Sequence, residues 1–147
     1  MGGHAYWYTV PYNDDLELVL ADLREREFLA GRYNPAMPFI DFPITAGSPA
    51  PGPQHATIED ALADSGADGT RSILDIHSIG DTPEFFTAGP LAPEVLRGLY
   101  GTERPTRAAV EADDSFLEDV ERGTAVYVLL YEGDTPTEVF FAGYSCD

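Results

Sequence analysis

The sequence predicts an α+β fold: a mainly antiparallel sheet of about four strands, helices packed on one side, and a C-terminal β-hairpin at the centre. Two apolar runs, 125–131 and 139–144, flank the turn-forming residues 132–137, which is typical of a hairpin with a longer loop. Both runs carry apolar side chains on both faces, which favours a central position. The order strand, helix, loop, helix, strand, two helices, hairpin indicates an α+β domain.

The bulk properties predict one domain over residues 1–147, a length that buries a substantial core. Because the chain contains one cysteine, Cys146, it cannot form an internal disulfide. The first residues lack the basic start and apolar segment of a signal peptide, and no apolar run reaches the length of about 18 residues typical of a membrane helix. We therefore expect a cytoplasmic protein that does not enter a membrane.

Charge is the strongest compositional signal. The chain has 26 acidic and 8 basic residues, a net charge of −18, and every basic residue is arginine. Such a field repels nucleic acid and anionic membranes and attracts basic partners. A coding bias or a salty cytoplasm explains the acidity without any partner. The alternative is an acidic protein that docks onto a basic one, as inhibitors of nucleases do.

The N-terminal region predicts a strand followed by a long helix. Residues 4–12 alternate between two faces, as in a strand. Asn13 or Asp14 is positioned to cap a helix that runs to about Ala30, and Gly31 is a typical helix stop.

One acidic residue of this helix, Glu27, falls in the middle of its apolar side. A buried carboxylate without a partner costs several kcal/mol, so Glu27 is expected to be paired or neutral. One interpretation is an internal salt bridge to Arg24 or Arg71. The other makes Glu27 a general base.

The connection over residues 33–56 is long and contains six prolines. Its first half carries apolar residues and is predicted to pack on the core, whereas 47–53 looks mobile. A connection of this length can serve as a lid or binding loop, or simply wrap the core.

A capping-box-like sequence at Thr57 predicts a short helix ending near Gly66, and residues 70–79 alternate as a strand would. On that strand Asp75 and His77 would share a face with their Cα atoms roughly 6.6 Å apart, so the carboxylate could orient the imidazole. Together with Glu27 they are the candidate catalytic residues. No nucleophile accompanies them, and a solvated sheet face explains the same pattern.

The sequence also contains candidate ligand-binding residues. The candidate ligand-binding residues are Arg24, Arg32, Tyr33 and Arg71, which could hold an anion, although cations at a helix end also suit the helix dipole. No zinc, calcium or phosphate-loop motif occurs, so no cofactor and no metal are predicted. A metal site of His55, Asp75 and His77 stays an open alternative.

The second half predicts a helix that begins at Pro93 and ends near Gly101, followed by one capped by Thr106 and closed by Gly123, with a possible break at Ser115. The second helix contains the highest density of acidic residues in the chain. Its candidate partner-binding residues are Glu111, Asp113, Asp114, Glu118, Asp119 and Glu121.

Two functional hypotheses follow. The first is a cytoplasmic interaction protein of inhibitor or immunity type, whose acidic surface around 111–121 meets a basic partner. The second is a small enzyme or small-molecule binder, in which Glu27, Arg71, Asp75 and His77 converge under the 36–56 loop and perform acid–base chemistry on a small anion.

Overall fold

A computed structural model describes residues 3–37 and 41–146 of the chain. It contains a five-stranded sheet with the strand order β1-β5-β4-β3-β2. The strands are β1 (Ala5–Pro11), β2 (Ser78–Ile79), β3 (Thr87–Pro90), β4 (Ala125–Glu132) and β5 (Thr135–Tyr144). The α-helices are α1 (Leu16–Ala30), α2 (Ile58–Ser65), α3 (Pro93–Tyr100) and α4 (Arg107–Ala112), and a 3₁₀ helix covers Ser115–Asp119.

The α+β class and the central C-terminal hairpin are confirmed, but the sheet differs in detail. The strands β1, β5 and β4 are antiparallel neighbours, whereas β4, β3 and β2 run parallel, so the sheet is mixed and has five strands. The crossover through α3 and α4 returns the chain to the same end of the sheet, which makes β4 parallel to β3. No helix of the described ranges is both long enough and apolar enough to cross a bilayer.

The hairpin turn is tighter than predicted. Glu132 pairs directly with Thr135, which leaves only Gly133 and Asp134 in the turn. Gly133 has a φ of 63°, a left-handed conformation that glycine adopts at little cost.

Helices cover both faces of the sheet, so the prediction of helices on one side only is wrong. Helix α1 packs on one face, and α3, α4 and the 3₁₀ helix pack on the other. Alternate residues of β4 and β5 point to opposite faces, and both sets are apolar, so each face needs a cover. On the α1 side the core includes Tyr6, Tyr8, Leu20, Leu23, Val139 and Phe141, and on the other side Val110, Phe116, Val126, Val128 and Phe140.

Helix α1 begins one or two residues later than predicted. Its cap is Asp15, whose side chain accepts from the Leu18 amide, while Asn13 accepts from the Asp15 amide. The helix ends at Gly31 as predicted, with a φ of 77°. A Cβ at Gly31 would lie 2.1 Å from the Gly52 carbonyl oxygen, so this glycine also permits a close backbone approach.

The predicted strand over 70–79 is wrong except for its last two residues. The Ser72 side chain accepts from the Leu74 amide and opens a 3₁₀ turn over Ile73–Asp75. Thr70 and Ser72 also bind one another through their hydroxyls, 2.8 Å apart. Short polar side chains that bind the local backbone compete with sheet formation. The alternating sequence therefore forms a turn where a strand was predicted.

The connection between α1 and α2 pairs with the first half of the outer edge of β1. Ile44 is fully buried, its carbonyl accepts from the Trp7 amide at 3.0 Å, and its own amide donates to the Ala5 carbonyl at 3.1 Å. Of the apolar first half predicted to pack on the core, residues 38–40 lie outside the described residues. The stretch 47–53, predicted to be mobile, is held by hydrogen bonds from Arg32 to Ser48 and from Gly52 to Ala30.

The later helices begin where the sequence predicts. Thr57 caps α2, Pro93 is the first residue of α3, and Thr106 caps α4. Helix α4 ends at Ala112, before the predicted end at Gly123. The Asp113 carboxylate then accepts from the amide and hydroxyl of Ser115, which starts the 3₁₀ helix at the predicted break.

Candidate functional site

The predicted partner-binding acids of 111–121 divide into two groups. Glu111 forms an ion pair with Arg107 at 3.0 Å, one helical turn away. Asp113 accepts two hydrogen bonds from Ser115, which lower the pKa of its carboxyl group. These two acids are therefore occupied by local partners.

The other acids of 111–121 are exposed to solvent. Glu118, Asp119 and Glu121, here called the acidic ridge, make no ion pair and no side-chain hydrogen bond within the described ranges. Asp114 is also exposed. Glu118 and Asp119 face outward because Phe116, in the same 3₁₀ helix, is buried against the sheet, and Glu121 lies in the segment just after that helix.

A cleft of about 450 Å³, here called the apolar cleft, lies beside the acidic ridge. It is formed by the turn after β2, the start of α3 and the segment leading into β4. Most of its lining is apolar, and three carboxylates stand among the lining residues: Asp81, Asp119 and Glu121. The apolar lining includes Pro83, Pro90, Leu91, Pro93, Val95, Phe116, Val120 and Val126.

A second cleft, of about 550 Å³, adjoins the ridge and is here called the terminal cleft. It is lined by Gly3, Arg122 and Tyr144 together with all three ridge residues. Because Asp119 and Glu121 line both clefts, the ridge stands between two concave surfaces.

The turn that contributes to the apolar cleft also carries an unusual aromatic pair. Phe85 is 61% exposed, and its ring lies 4.1 Å from that of Phe86, measured between centroids. Phe86 has a φ of 61°, a conformation that is rare for a bulky residue. A hydrogen bond of 2.7 Å from its amide to the Gly123 carbonyl holds it there. The strained backbone conformation of Phe86 therefore lies next to the exposed ring of Phe85.

Glu27 is fully buried in an ion pair, but its partner is neither Arg24 nor Arg71. Its Oε2 atom lies 2.8 Å from Nη1 of Arg32 and 3.4 Å from Nε of Arg26. The left-handed turn at Gly31 reverses the chain and returns Arg32 over the last turn of α1, an effect of chain geometry that helical spacing does not reveal.

Arg32 also connects the ion pair to the long connection. Its guanidinium donates to the carbonyls of Ala46 and Ser48 at 2.9 and 3.0 Å. Tyr8 lies beside the pair, and burial, followed by the negative charge of Glu27, raises the pKa of its phenol. The Tyr8 hydroxyl and Oε1 of Glu27 are buried without a hydrogen-bond partner in the described part of the chain.

Arg24, Asp75 and His77 occupy a different place, where α1 meets the 73–75 turn. Arg24 donates to the Leu74 carbonyl at 2.8 Å, and Oδ1 of Asp75 accepts from the amide and hydroxyl of Thr70 at 2.9 and 2.8 Å. Burial raises the pKa of Asp75 despite these bonds. Burial and the charge of Arg24 lower the pKa of His77, whose ring meets Phe86 edge-on.

This geometry differs from the predicted catalytic arrangement. Asp75 belongs to a 3₁₀ turn and His77 follows it, so the two do not share a strand face. Arg71 has a φ of 54° and lies before that turn. Glu27, Asp75 and His77 line neither the apolar cleft nor the terminal cleft. A catalytic role for them stays a prediction.

Tyr33, predicted to bind a ligand, is fully buried and stabilises the long connection. Its hydroxyl lies 2.8 Å from Nδ1 of His55 and accepts from the Gln54 amide at 3.1 Å. His55 contacts Asp64 through its other ring nitrogen at 2.9 Å. Within residues 3–37 and 41–146, no group of three or more His, Cys, Asp or Glu side chains is placed to hold a metal, and His55 does not join Asp75 and His77.

Sequence reasoning missed three features near the ridge: Asp81, the apolar cleft itself and the exposed Phe85, whose ring packs on Gly123. Phe85 and Phe86 stand out as a consecutive aromatic pair in a Pro- and Gly-containing connection, which is a usable signal. The cleft has no such signal because its walls come from segments between 81 and 126 that are distant in sequence.

Comparison of the sequence with protein-family models, with curated proteins and with solved structures gave no match.

Proposed function

We propose that this chain is a protein-interaction module of inhibitor or immunity type that binds a basic partner protein through the acidic ridge. The observation that carries the proposal is the contrast within 111–121. Glu111 and Asp113 have local partners, whereas the three ridge carboxylates make no ion pair within the described ranges and lie beside two clefts. Like charges held close together repel, and a cationic partner surface would relieve that repulsion.

The net charge of −18 supports the proposal through encounter rates. A strongly acidic protein attracts basic partners over a Debye length of about 8 Å at physiological salt, which raises the association rate constant. Charge of one sign at an interface also discriminates against partners of the same sign. Both effects weaken as salt increases.

Net charge alone does not locate the binding surface, because acids are exposed elsewhere. Asp14, Glu25 and Asp68 are all exposed and make no ion pair within the described ranges. What distinguishes the ridge is its position between two concave surfaces, one of them largely apolar. Concave apolar surface with a few polar groups is typical of binding sites.

Acid–base chemistry at Glu27 receives less support from the same geometry. The carboxylate is sealed and bound by Arg32, and Arg32 also supports the long connection. This arrangement is that of a structural ion pair, so we do not propose an enzymatic function.

Affinity capture with three baits tests the proposal. The first bait is the wild-type chain. The second is the ridge variant Glu118→Gln, Asp119→Asn, Glu121→Gln. The third is a control variant with Asp14→Asn, Glu25→Gln and Asp68→Asn. Both variants change the net charge from −18 to −15 by removing three negative charges.

We expect a basic protein from the source cells to be retained at low salt by the wild type and the control and to be lost from the ridge variant. Equal retention by both variants would mean that binding follows net charge and would overturn the proposal. Retention of no basic protein by the wild type would overturn it as well.

A further inference from the structure

We infer that the apolar cleft receives a single apolar side chain of the partner, flanked in the partner sequence by arginine or lysine residues that meet Asp81, Asp119 and Glu121. This inference rests on the proposed function and specifies the chemistry of the partner segment. The occupant is therefore a short cationic segment with an apolar residue at its centre.

The lining of the cleft carries the first step. Its walls are proline, leucine, valine and phenylalanine side chains, contributed by both ends of the crossover between β3 and β4. Val95 remains 38% exposed on α3 and is available to an incoming side chain. Burying an aliphatic side chain against such walls is favourable in proportion to the apolar area removed from water.

The distribution of charge carries the second step. Asp81 comes from the turn after β2, whereas Asp119 and Glu121 come from the end of the 3₁₀ helix and the segment before β4. None of the three forms an ion pair within residues 3–37 and 41–146. A partner with cations on both sides of an apolar residue would place that residue inside and its charges near these carboxylates. This matches the apolar core and polar rim of protein interfaces.

The aromatic turn carries the third step. Phe85 belongs to the same turn as Asp81 and Pro83, and its ring lies directly on Gly123, where a Cβ would come within 2.3 Å of Cε1. An exposed aromatic ring held by a strained neighbour is a feature expected at a contact surface. Arginine stacks on aromatic faces, so Phe85 offers a further contact to a cationic segment.

Charge excludes a second copy of this chain as the favoured occupant. A second copy also has a net charge of −18, and the cleft it would enter already contains three carboxylates. Charge complementarity instead selects a cationic segment.

Three capped pentapeptides test the inference on the full chain. The first has leucine between two pairs of arginine, the second replaces leucine by serine, and the third keeps leucine but replaces arginine by glutamate. Titration followed by amide chemical shifts measures weak affinities and locates the binding surface. We expect the arginine–leucine peptide to bind about tenfold tighter than the serine peptide, with shifts around the apolar cleft. The glutamate peptide is expected not to bind.

Two matched variants sharpen the result. Val95→Ser removes part of the apolar lining of the cleft, and Leu29→Ser changes another exposed aliphatic residue, on α1 and away from the cleft. We expect Val95→Ser to reduce the leucine preference severalfold and Leu29→Ser to leave it unchanged. The amide spectrum of each variant confirms its fold.

The outcomes separate the inference from the proposed function. If the leucine and serine peptides bind the wild type equally and the ridge variant weakens both, the inference is overturned and the acidic-ridge proposal is retained. If neither arginine peptide binds the wild type, the inference is overturned, and the capture experiment decides the proposed function. Concentration-dependent dimerisation that Val95→Ser abolishes would also overturn the inference, in favour of a second copy.

Discussion

Two acidic sites of this protein use the same chemical group in opposite ways. Glu27 is fully buried and lies 2.8 Å from Arg32, which also binds two carbonyls of the long connection. The acidic ridge is exposed, and its three carboxylates have no ion-pair partner in the described part of the chain. The buried carboxylate of Glu27 therefore connects two segments of the fold, whereas the ridge carboxylates remain accessible to a partner.

The difference teaches where to look for function in a strongly acidic protein. A buried acid must find its partner within the fold, because an uncompensated buried charge is too costly. A surface acid needs no partner for folding, so a group of unpaired surface acids is free to serve binding. Glu27, one of the candidate catalytic residues of the sequence, already has its ion-pair partner within the fold.

The largest expected effect is at the buried pair. Arg32→Met leaves the Glu27 carboxylate buried with only the more distant Arg26 beside it. We expect a loss of about 3 kcal/mol in the free energy of unfolding, near the lower end for breaking a buried pair because Arg26 remains. Urea denaturation measures the loss.

Arg26→Met is the matched control, since Arg26 is partly exposed and lies 3.4 Å from the same oxygen. It is expected to cost less than about 1 kcal/mol. Equal losses for the two variants would mean that Arg32 is not the main partner of Glu27. The double variant Glu27→Gln, Arg32→Met should recover part of the loss, because no buried charge remains.

An intermediate effect is expected at Asp75, which is buried and hydrogen-bonded but whose pKa is raised by burial. In the pH range from its ordinary value of 3.8 up to the raised pKa, the folded state binds more protons than the unfolded state. Its contribution to the free energy of unfolding therefore falls as the pH rises through this range. Asp75→Asn removes that titration and keeps an oxygen that can accept from Thr70.

The measurement is urea denaturation of the wild type and Asp75→Asn between pH 3.5 and neutral pH, a range chosen to begin near the ordinary Asp pKa of 3.8. The variant should gain stability relative to the wild type as the pH rises and then level off. A difference that stays constant or shrinks with pH would contradict the raised pKa.

The smallest effect on stability is expected at the ridge. The triple substitution Glu118→Gln, Asp119→Asn, Glu121→Gln should change the free energy of unfolding by no more than about 0.5 kcal/mol, because these side chains are exposed and make no ion pair with any other described residue. Any change should be a gain that decreases with added salt, since it comes from relieved repulsion. A loss of about 2 kcal/mol would show that the ridge supports the fold and would weaken its assignment to binding.

Much of the architecture was predictable because it depends on local pattern. The apolar runs of the hairpin predicted its central place, and Thr57, Pro93 and Thr106 predicted where three helices begin. The same runs carried apolar residues on both faces, which indicated covers on both sides, although helices were predicted on one side only. The burial of Glu27 followed from helical spacing.

What failed depends on contacts between distant segments or on side chains that compete for the backbone. Alternation over 70–79 predicted a strand, but the hydroxyl of Ser72 and the carboxylate of Asp75 bind the nearby chain and favour a tight turn. The partner of Glu27 depended on the reversal at Gly31. The apolar cleft forms only when distant segments of the crossover come together, so no local sequence pattern predicts it.

The cover that Ile44 places on the outer side of β1 has a consequence for how this protein can associate. At one rim of the sheet, the main-chain groups of Ala5 and Trp7 are already bonded to Ile44, and at the other rim β2 is only two residues long. A foreign strand therefore finds a shortened stretch of free main chain at each rim. We expect recognition of this molecule to depend mainly on side chains and surface shape, and the short free edges also disfavour strand-to-strand aggregation of the apolar hairpin.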